Sequence, residues 1–151
     1  MTSYPPKKKP SEISVPPKEF SLSPQEWKEF SEGVSLFNRH QFWHAHEVWE
    51  NVWKHRTEDE RLFFQGLIQF AAAYHHFVTK RSLKGMVRNF EKAFDKLTVF
   101  APRFLDVAVT PLLAAIKNGM AEVHWLGEDF FQHSSPKIIP TLAFHPPATM
   151  L

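Results

Sequence analysis

A histidine and a glutamate lie one helical turn apart in the stretch FWHAHEVWENVWK, residues 42–54. On an α-helix of about 100° per residue, His46 and Glu50 fall on the same face. The large aromatic side chains of the stretch lie within roughly 60° of His46 on that helix, namely Phe42, Trp43, Trp49 and Trp53. Because a helix face this rich in tryptophan is typical of a core, we expect His46 and Glu50 to lie in the interior. A buried glutamate then needs a hydrogen-bonding partner or a bound cation.

A second polar line is expected to face this pair from the following helix. Gln65, Gln69 and His76 fall within about 40° of one another on a stretch that is otherwise almost wholly apolar. Two imidazoles and one carboxylate, from His46, Glu50 and His76, are a ligand set that suits zinc, iron or manganese. The sequence therefore supports the hypothesis of a divalent-metal site in a small helical domain of unknown function.

Other interpretations of this cluster stay open. It could be a purely structural hydrogen-bond network that fixes the register of packed helices, or it could line a pocket for a small ligand. The side chains assigned to such a network or pocket are Trp43, Glu47, Trp49, Trp53, Gln65 and Gln69. A third alternative is a metal-dependent hydrolase, because His46-Glu47-x-x-Glu50 is similar to the zincin string, with Glu47 in the place of the general base. Glu50 replaces the second zincin histidine, so the catalytic constellation is incomplete and the sequence does not decide whether the protein is an enzyme.

The same residues carry a resemblance to a known family. Residues 37–53 follow the pattern F-N-x-x-x-F-W-x-A-H-E-x-W-E-x-x-W, and residues 65–73 read Q-G-L-I-Q-x-A-A-A. Both stretches resemble the family called domain of unknown function 309, which consists of small all-helical bacterial and archaeal proteins with the motif H-x-x-x-E-x-x-W. The resemblance spans residues 30–118 and implies that His46, Glu50 and Trp53 are the motif residues and that the motif is a metal-binding one. It implies no activity.

Composition narrows the function classes. The 151 residues include no cysteine, which excludes disulfides, thiolate metal sites and a cysteine nucleophile. Eighteen basic and sixteen acidic residues give a formal net charge of +2, which is too small to indicate a nucleic-acid partner. No apolar run is long enough for a membrane span or follows the basic N-terminus as a signal peptide would. We therefore expect a cytoplasmic protein that binds neither nucleic acid nor membrane.

Apolar periodicity and helix caps predict an all-α fold, a single antiparallel bundle of about five helices. The bundle is expected at residues 23–132, with a disordered or extended, proline-rich arm at 1–22 and an extended arm at 133–151. Capping boxes are expected at Ser23–Glu26 and Thr57–Glu60, and a further cap at Ser82. The predicted helices cover residues 24–39, 41–55, 58–79, 82–100 and 110–118, with a further helical piece at 120–132.

The C-terminal arm is too apolar for a free tail. Its large apolar residues are Ile138, Ile139, Leu142 and Phe144. Leaving four such side chains in water is unfavourable, so the arm is expected to pack on its own bundle or on a second copy of the chain, as a homo-oligomer.

Overall fold

The chain folds as an all-α bundle, as predicted. The structure, a computed structural model, describes residues 7–19 and 21–144. Its helices are α1 (Pro24–Asn38), α2 (Phe42–Trp53), α3 (Glu60–His75), α4 (Leu83–Leu97), α5 (Thr110–Leu126) and the short α6 (Phe130–His133). The outer parts of both predicted arms, residues 1–6 and 145–151, lie outside the described residues.

The central helix is α3, which packs against α2 on one side and α4 on the other. Phe64 and Leu67 of α3 are fully buried. Rings of α1 stack on rings of α3, with Phe30 6.5 Å from Phe63 and Phe37 5.4 Å from Phe70 between centroids. Because α3 is apolar almost all the way round, its sequence favours such a central position.

Two of the three expected caps are present. The Ser23 hydroxyl accepts from the backbone N–H of Glu26 at 3.1 Å, and the Glu26 carboxylate accepts from the N–H of Ser23 at 2.9 Å. The Ser82 hydroxyl accepts from the N–H of Gly85 at 3.0 Å. The prediction of a capping box at Thr57–Glu60 was wrong. Helix α3 begins only at Glu60, and the Glu60 carboxylate bonds to Arg56 at 2.7 Å instead.

Three helix ends differ from the prediction. The third helix ends at His75 and continues as a π-turn, His76–Lys80, while α4 ends at Leu97 and a 3-10 turn covers Thr98–Phe100. The end expected near residue 118 was wrong, since α5 runs on to Leu126. Gly119 does not end the helix but is buried within it, where a Cβ would lie 3.0 Å from the Phe90 ring. It provides close packing of α5 on α4.

A small antiparallel hairpin that the sequence did not predict follows α4. Its strands are β1 (Arg103–Phe104) and β2 (Val107–Ala108). Leu105 and Asp106 form the turn with φ of 46° and 61°. Two-residue strands are too short to show an alternating pattern, so no sequence signal marks them.

Both arms pack on the bundle where they are described. In the N-terminal arm, Asp59 accepts from the backbone N–H groups of Ser14 and Lys18 at 3.3 and 3.0 Å. In the C-terminal arm, the Asn38 side chain accepts from the N–H of Leu142 at 2.8 Å and donates to its carbonyl at 3.2 Å. The C-terminal arm therefore docks on its own bundle, the first of the two expected alternatives.

Within the described ranges, no helix combines the length and the apolar character needed to cross a membrane.

Candidate functional site

The buried face of α2 is not the face that carries His46 and Glu50. It consists of Phe42, Ala45, Trp49 and Val52. Its centre lies about 80° round the helix from His46. Glu50 and Trp43 consequently lie at the edge of the bundle, with 48% of the Glu50 side chain and 49% of Trp43 exposed. The expectation that Glu50 lies in the interior was wrong, because not every tryptophan of α2 points to the core.

His46 and Glu50 nevertheless form a close pair on the edge of α2. The Nε2 atom of His46 lies 3.5 Å from Oε1 of Glu50, and the His46 side chain is only 16% exposed. Two ligand atoms bound to one ion at about 2.1 Å with a tetrahedral angle lie roughly 3.4 Å apart. The separation thus fits two ligands of one ion as well as it fits a direct ion pair.

A small pocket joins Glu50 to the polar line of α3. Its volume is about 120 Å³, and its walls are Lys7, Glu50, Trp53, Gln65, Ile68 and Gln69. Gln65 is only 8% exposed. The Oε1 atoms of Gln65 and Gln69 are both buried, and neither accepts a hydrogen bond from any residue that the structure describes. The structure therefore brings Glu50, Trp53 and both glutamines together in one pocket.

His76 lies apart from this pocket. Its ring packs on Gly85 of α4, where an added Cβ would come within 2.4 Å of Nδ1. Its neighbour His75, rather than His76, belongs to the surroundings of His46, because Trp43 contacts both rings with centroids 4.8 Å from His46 and 5.2 Å from His75. Burial lowers the pKa of His75, and the nearby His76, Lys80 and His46 lower it further.

Two other predicted residues also lie away from the pocket. Trp49 is fully buried in the core, and its Nε1 donates to the carbonyl of Phe30 at 3.2 Å. Glu47 is 54% exposed and pairs with His44 at 3.6 Å. In the part of the chain that the structure describes, no three or more histidine, aspartate or glutamate side chains are arranged to hold a metal ion by themselves.

Sequence reasoning missed a polar network beside the pocket. Arg56 lies between Glu60, at 2.7 Å, and Glu26, at 3.2 Å, and Glu60 is completely buried. Burial alone would lower the pKa of Arg56, but Glu60 and Glu26 together raise it above its usual value. Arg56 lies in the loop between α2 and α3, so helical spacing could not have revealed this pair.

Arg61 supports the pocket wall formed by Trp53. Its guanidinium lies 3.9 Å from the centre of the Trp53 ring and donates to the Trp53 carbonyl at 2.6 Å. Burial lowers the pKa of Arg61. A cation stacked on an aromatic ring and bonded to the same residue's backbone restricts that ring, so the wall is held in place from behind.

A larger pocket adjoins the first one and shares Lys7, Gln65 and Gln69 with it. Its volume is about 350 Å³, and its walls are Lys7, Lys8, Lys9, Pro10, Gln65, Gln69, Lys92 and Lys96. Together, the two adjoining pockets form one groove. Burial lowers the pKa of Lys96, and the charges of Lys92 and Lys7 lower it further against the opposing effect of Asp95. The sequence predicted a disordered or extended N-terminal arm, whereas the structure places the lysines of that arm, Lys7–Lys9, beside α3 and α4.

Comparison with known proteins confirms the resemblance. The family model described as Domain of unknown function (DUF309) matches residues 30–89. That range contains α2, α3 and the His46–Glu50 pair, but not Lys7–Lys9, Lys92 or Lys96. No curated protein and no solved structure matches the chain.

Proposed function

We propose that the domain matched by the DUF309 family model, residues 30–89, binds a divalent metal ion, zinc, iron or manganese, through His46 and Glu50. The observation that supports the proposal is the 3.5 Å separation of His46 Nε2 and Glu50 Oε1 at the edge of α2. An imidazole nitrogen and a carboxylate oxygen are common ligands of these ions.

The site is open rather than closed. Two protein ligands leave the remaining coordination positions to water or to a bound molecule, which is the arrangement of a site that exchanges ligands. Glu50 also lines the small pocket, so those positions lie next to it. His76 is left out of the proposed ligand set because its ring packs on Gly85.

The partial exposure of Glu50 favours binding over a purely structural network. A network that fixes helix register would keep its carboxylate inside, whereas 48% of this side chain is exposed. The proposal does not extend to a hydrolase, because Glu47, the counterpart of a zincin general base, pairs with His44 instead of lining the pocket.

The test is metal analysis of purified protein combined with thermal melting. The wild type is expected to carry one of the three metals at near-stoichiometric level and to melt at a lower temperature after chelation, because a ligand that binds only the folded state stabilises it. His46→Gln should lose both properties, since an amide is a poor substitute for an imidazole ligand.

A matched control is His44→Gln, which removes a histidine of the same helix that is 67% exposed and pairs with Glu47. It should keep the metal and the response to chelation. A wild-type protein that is purified without metal, and whose melting does not change on addition of zinc, manganese or ferrous iron, would rule out the proposal.

A further inference from the structure

We propose that the groove binds a small organic phosphate of nucleotide type. The phosphate would lie against Lys7–Lys9, Lys92 and Lys96, and a planar ring that carries N–H donors, such as a nucleobase, would lie at Gln65 and Gln69. This site shares Glu50 with the proposed metal pair, but it does not depend on a bound metal.

The expected position of the phosphate follows from five lysines, which come from two separate parts of the chain and line one pocket. Three belong to the N-terminal arm, two belong to α4, and all five line one pocket of about 350 Å³. Sites for small ligands typically measure about 300–1,000 Å³, so the space is adequate. Like charges brought together repel: burial is the main cause that lowers the pKa of Lys96, and the charges of Lys92 and Lys7 lower it further. A phosphate of two negative charges would relieve that repulsion.

The expected position of the planar ring follows from Gln65 and Gln69, whose Oε1 atoms are buried. Gln65 is more than nine-tenths buried, and its Oε1 has no hydrogen-bond donor among the described residues. Gln69, one turn further along α3, is only partly buried, but its Oε1 is likewise buried without a donor among the described residues. A buried acceptor without a partner is unfavourable, so a ligand that supplies N–H donors gains affinity here. A glutamine amide offers a donor and an acceptor side by side, which suits the edge of a base.

The remaining walls of the small pocket favour a planar ring and a short ligand. Trp53 and Ile68 provide apolar surface, and Arg61 holds the Trp53 ring in place. Glu50 lines the small pocket together with Lys7 but does not line the larger pocket, where all five lysines converge. A carboxylate there can accept from an amino group of a base but would repel a continuing phosphate backbone, so the groove suits a single nucleotide better than a nucleic acid.

Calorimetric titrations of the full chain in the presence of a chelator would test this site without any contribution from a metal. The probes are adenosine, guanosine and cytidine 5′-monophosphates, with ribose 5-phosphate, inorganic phosphate and a short DNA duplex for comparison. At least one nucleoside monophosphate should bind more tightly than ribose 5-phosphate. Replacing both groove lysines of α4, as Lys92→Gln with Lys96→Gln, should weaken that binding by about tenfold or more.

The matched control removes two charges from the same helix outside the groove, as Lys84→Gln with Arg88→Gln. It should leave the affinity for the nucleotide unchanged, and so should His46→Gln. Gln69→Leu should reduce the preference for the nucleotide over ribose 5-phosphate. Retention of nucleotide binding in His46→Gln would support the groove whether or not a metal binds at His46.

Several outcomes would overturn the proposal. The proposal fails if no monophosphate binds at millimolar concentration, or if the control pair of substitutions weakens nucleotide binding as much as the groove pair does. It also fails if inorganic phosphate and the nucleotide bind with equal affinity. Tighter binding of the DNA duplex, with a steep dependence on salt, would replace the nucleotide by a nucleic acid as the ligand.

Discussion

Two glutamates in neighbouring helices show how the surroundings of a residue decide its role. Glu60 is completely buried and bonds to Arg56 at 2.7 Å, whereas half of the Glu50 side chain is exposed beside His46. A carboxylate inside a protein requires a charged partner with good geometry, and a guanidinium meets that requirement. The buried carboxylate is therefore structural, and the exposed one stays available to a cation.

Removing Arg56, the partner of Glu60, is expected to destabilise the fold strongly. Arg56→Met leaves a buried carboxylate without its guanidinium and should lower the free energy of unfolding by about 3–5 kcal/mol, measured by urea denaturation. The double variant Arg56→Met with Glu60→Met should recover most of this loss, because neither charge then remains. A single variant within 1 kcal/mol of the wild type would show that the pair does not stabilise the fold.

At the scale of elements, the sequence predicted the position of α3 but not the orientation of α2. The apolar pattern of α3 extends round the whole helix, so its central place follows whatever its rotation. The pattern of α2 has tryptophan on more than one side, and Trp43 packs at the surface between His46 and His75. A count of aromatic residues on a helical wheel cannot distinguish a ring that stacks on surface histidines from a ring in the core.

The candidate site was also predictable only in part. Glu50, Gln65 and Gln69 were brought together by a simple rule, that isolated polar residues on apolar helices tend to face one another. The lysine wall of the groove could not be predicted in this way. It depends on where an extended arm settles, and that position is fixed by contacts such as those from Asp59 to the backbone of Ser14 and Lys18.

The contact of α1 with α2 depends on one glycine. A Cβ at Gly33 would lie 2.1 Å from Nε1 of Trp49, the atom that donates to Phe30. Gly33→Ala should gain up to about 1 kcal/mol of helix propensity but lose about 1–3 kcal/mol through overpacking and the disturbed tryptophan bond. Net destabilisation by denaturant titration is expected.

Ser35→Ala is the matched control, because Ser35 is an exposed position of the same helix. Alanine there should leave stability unchanged or raise it slightly. A Gly33→Ala variant as stable as Ser35→Ala would mean that the ring of Trp49 can shift without cost.

At the scale of the whole molecule, the two arms complete different parts of the bundle. The N-terminal arm adds three lysines to the groove, so any ligand held there also ties this arm to α3 and α4. The C-terminal arm covers the core at α1, where the ring of Phe144 lies 5.2 Å from Phe30. An arm that packs within its own chain has less apolar surface left for a second copy, so we expect its main contribution to be stability rather than assembly.

Truncation distinguishes these two contributions. Deleting residues 133–151 removes the buried side chains of Ile139 and Leu142 and exposes the core beneath them, so the melting temperature should fall. The elution volume on size exclusion should change only as much as the lost mass requires. Leu142→Ala in the full chain should reproduce part of the loss, about 2–5 kcal/mol, because it leaves a cavity at the same place.

A homo-oligomer formed through the apolar C-terminal arm would give different results for the melting temperature and the elution volume. If a second copy uses the arm, truncation should split a larger species into monomers, and the melting temperature of the full chain should rise with protein concentration. Unchanged melting together with unchanged elution would mean that the arm contributes to neither. That outcome would contradict the contacts through which Asn38 holds the backbone of Leu142, since two bonds to a buried segment are expected to resist its removal.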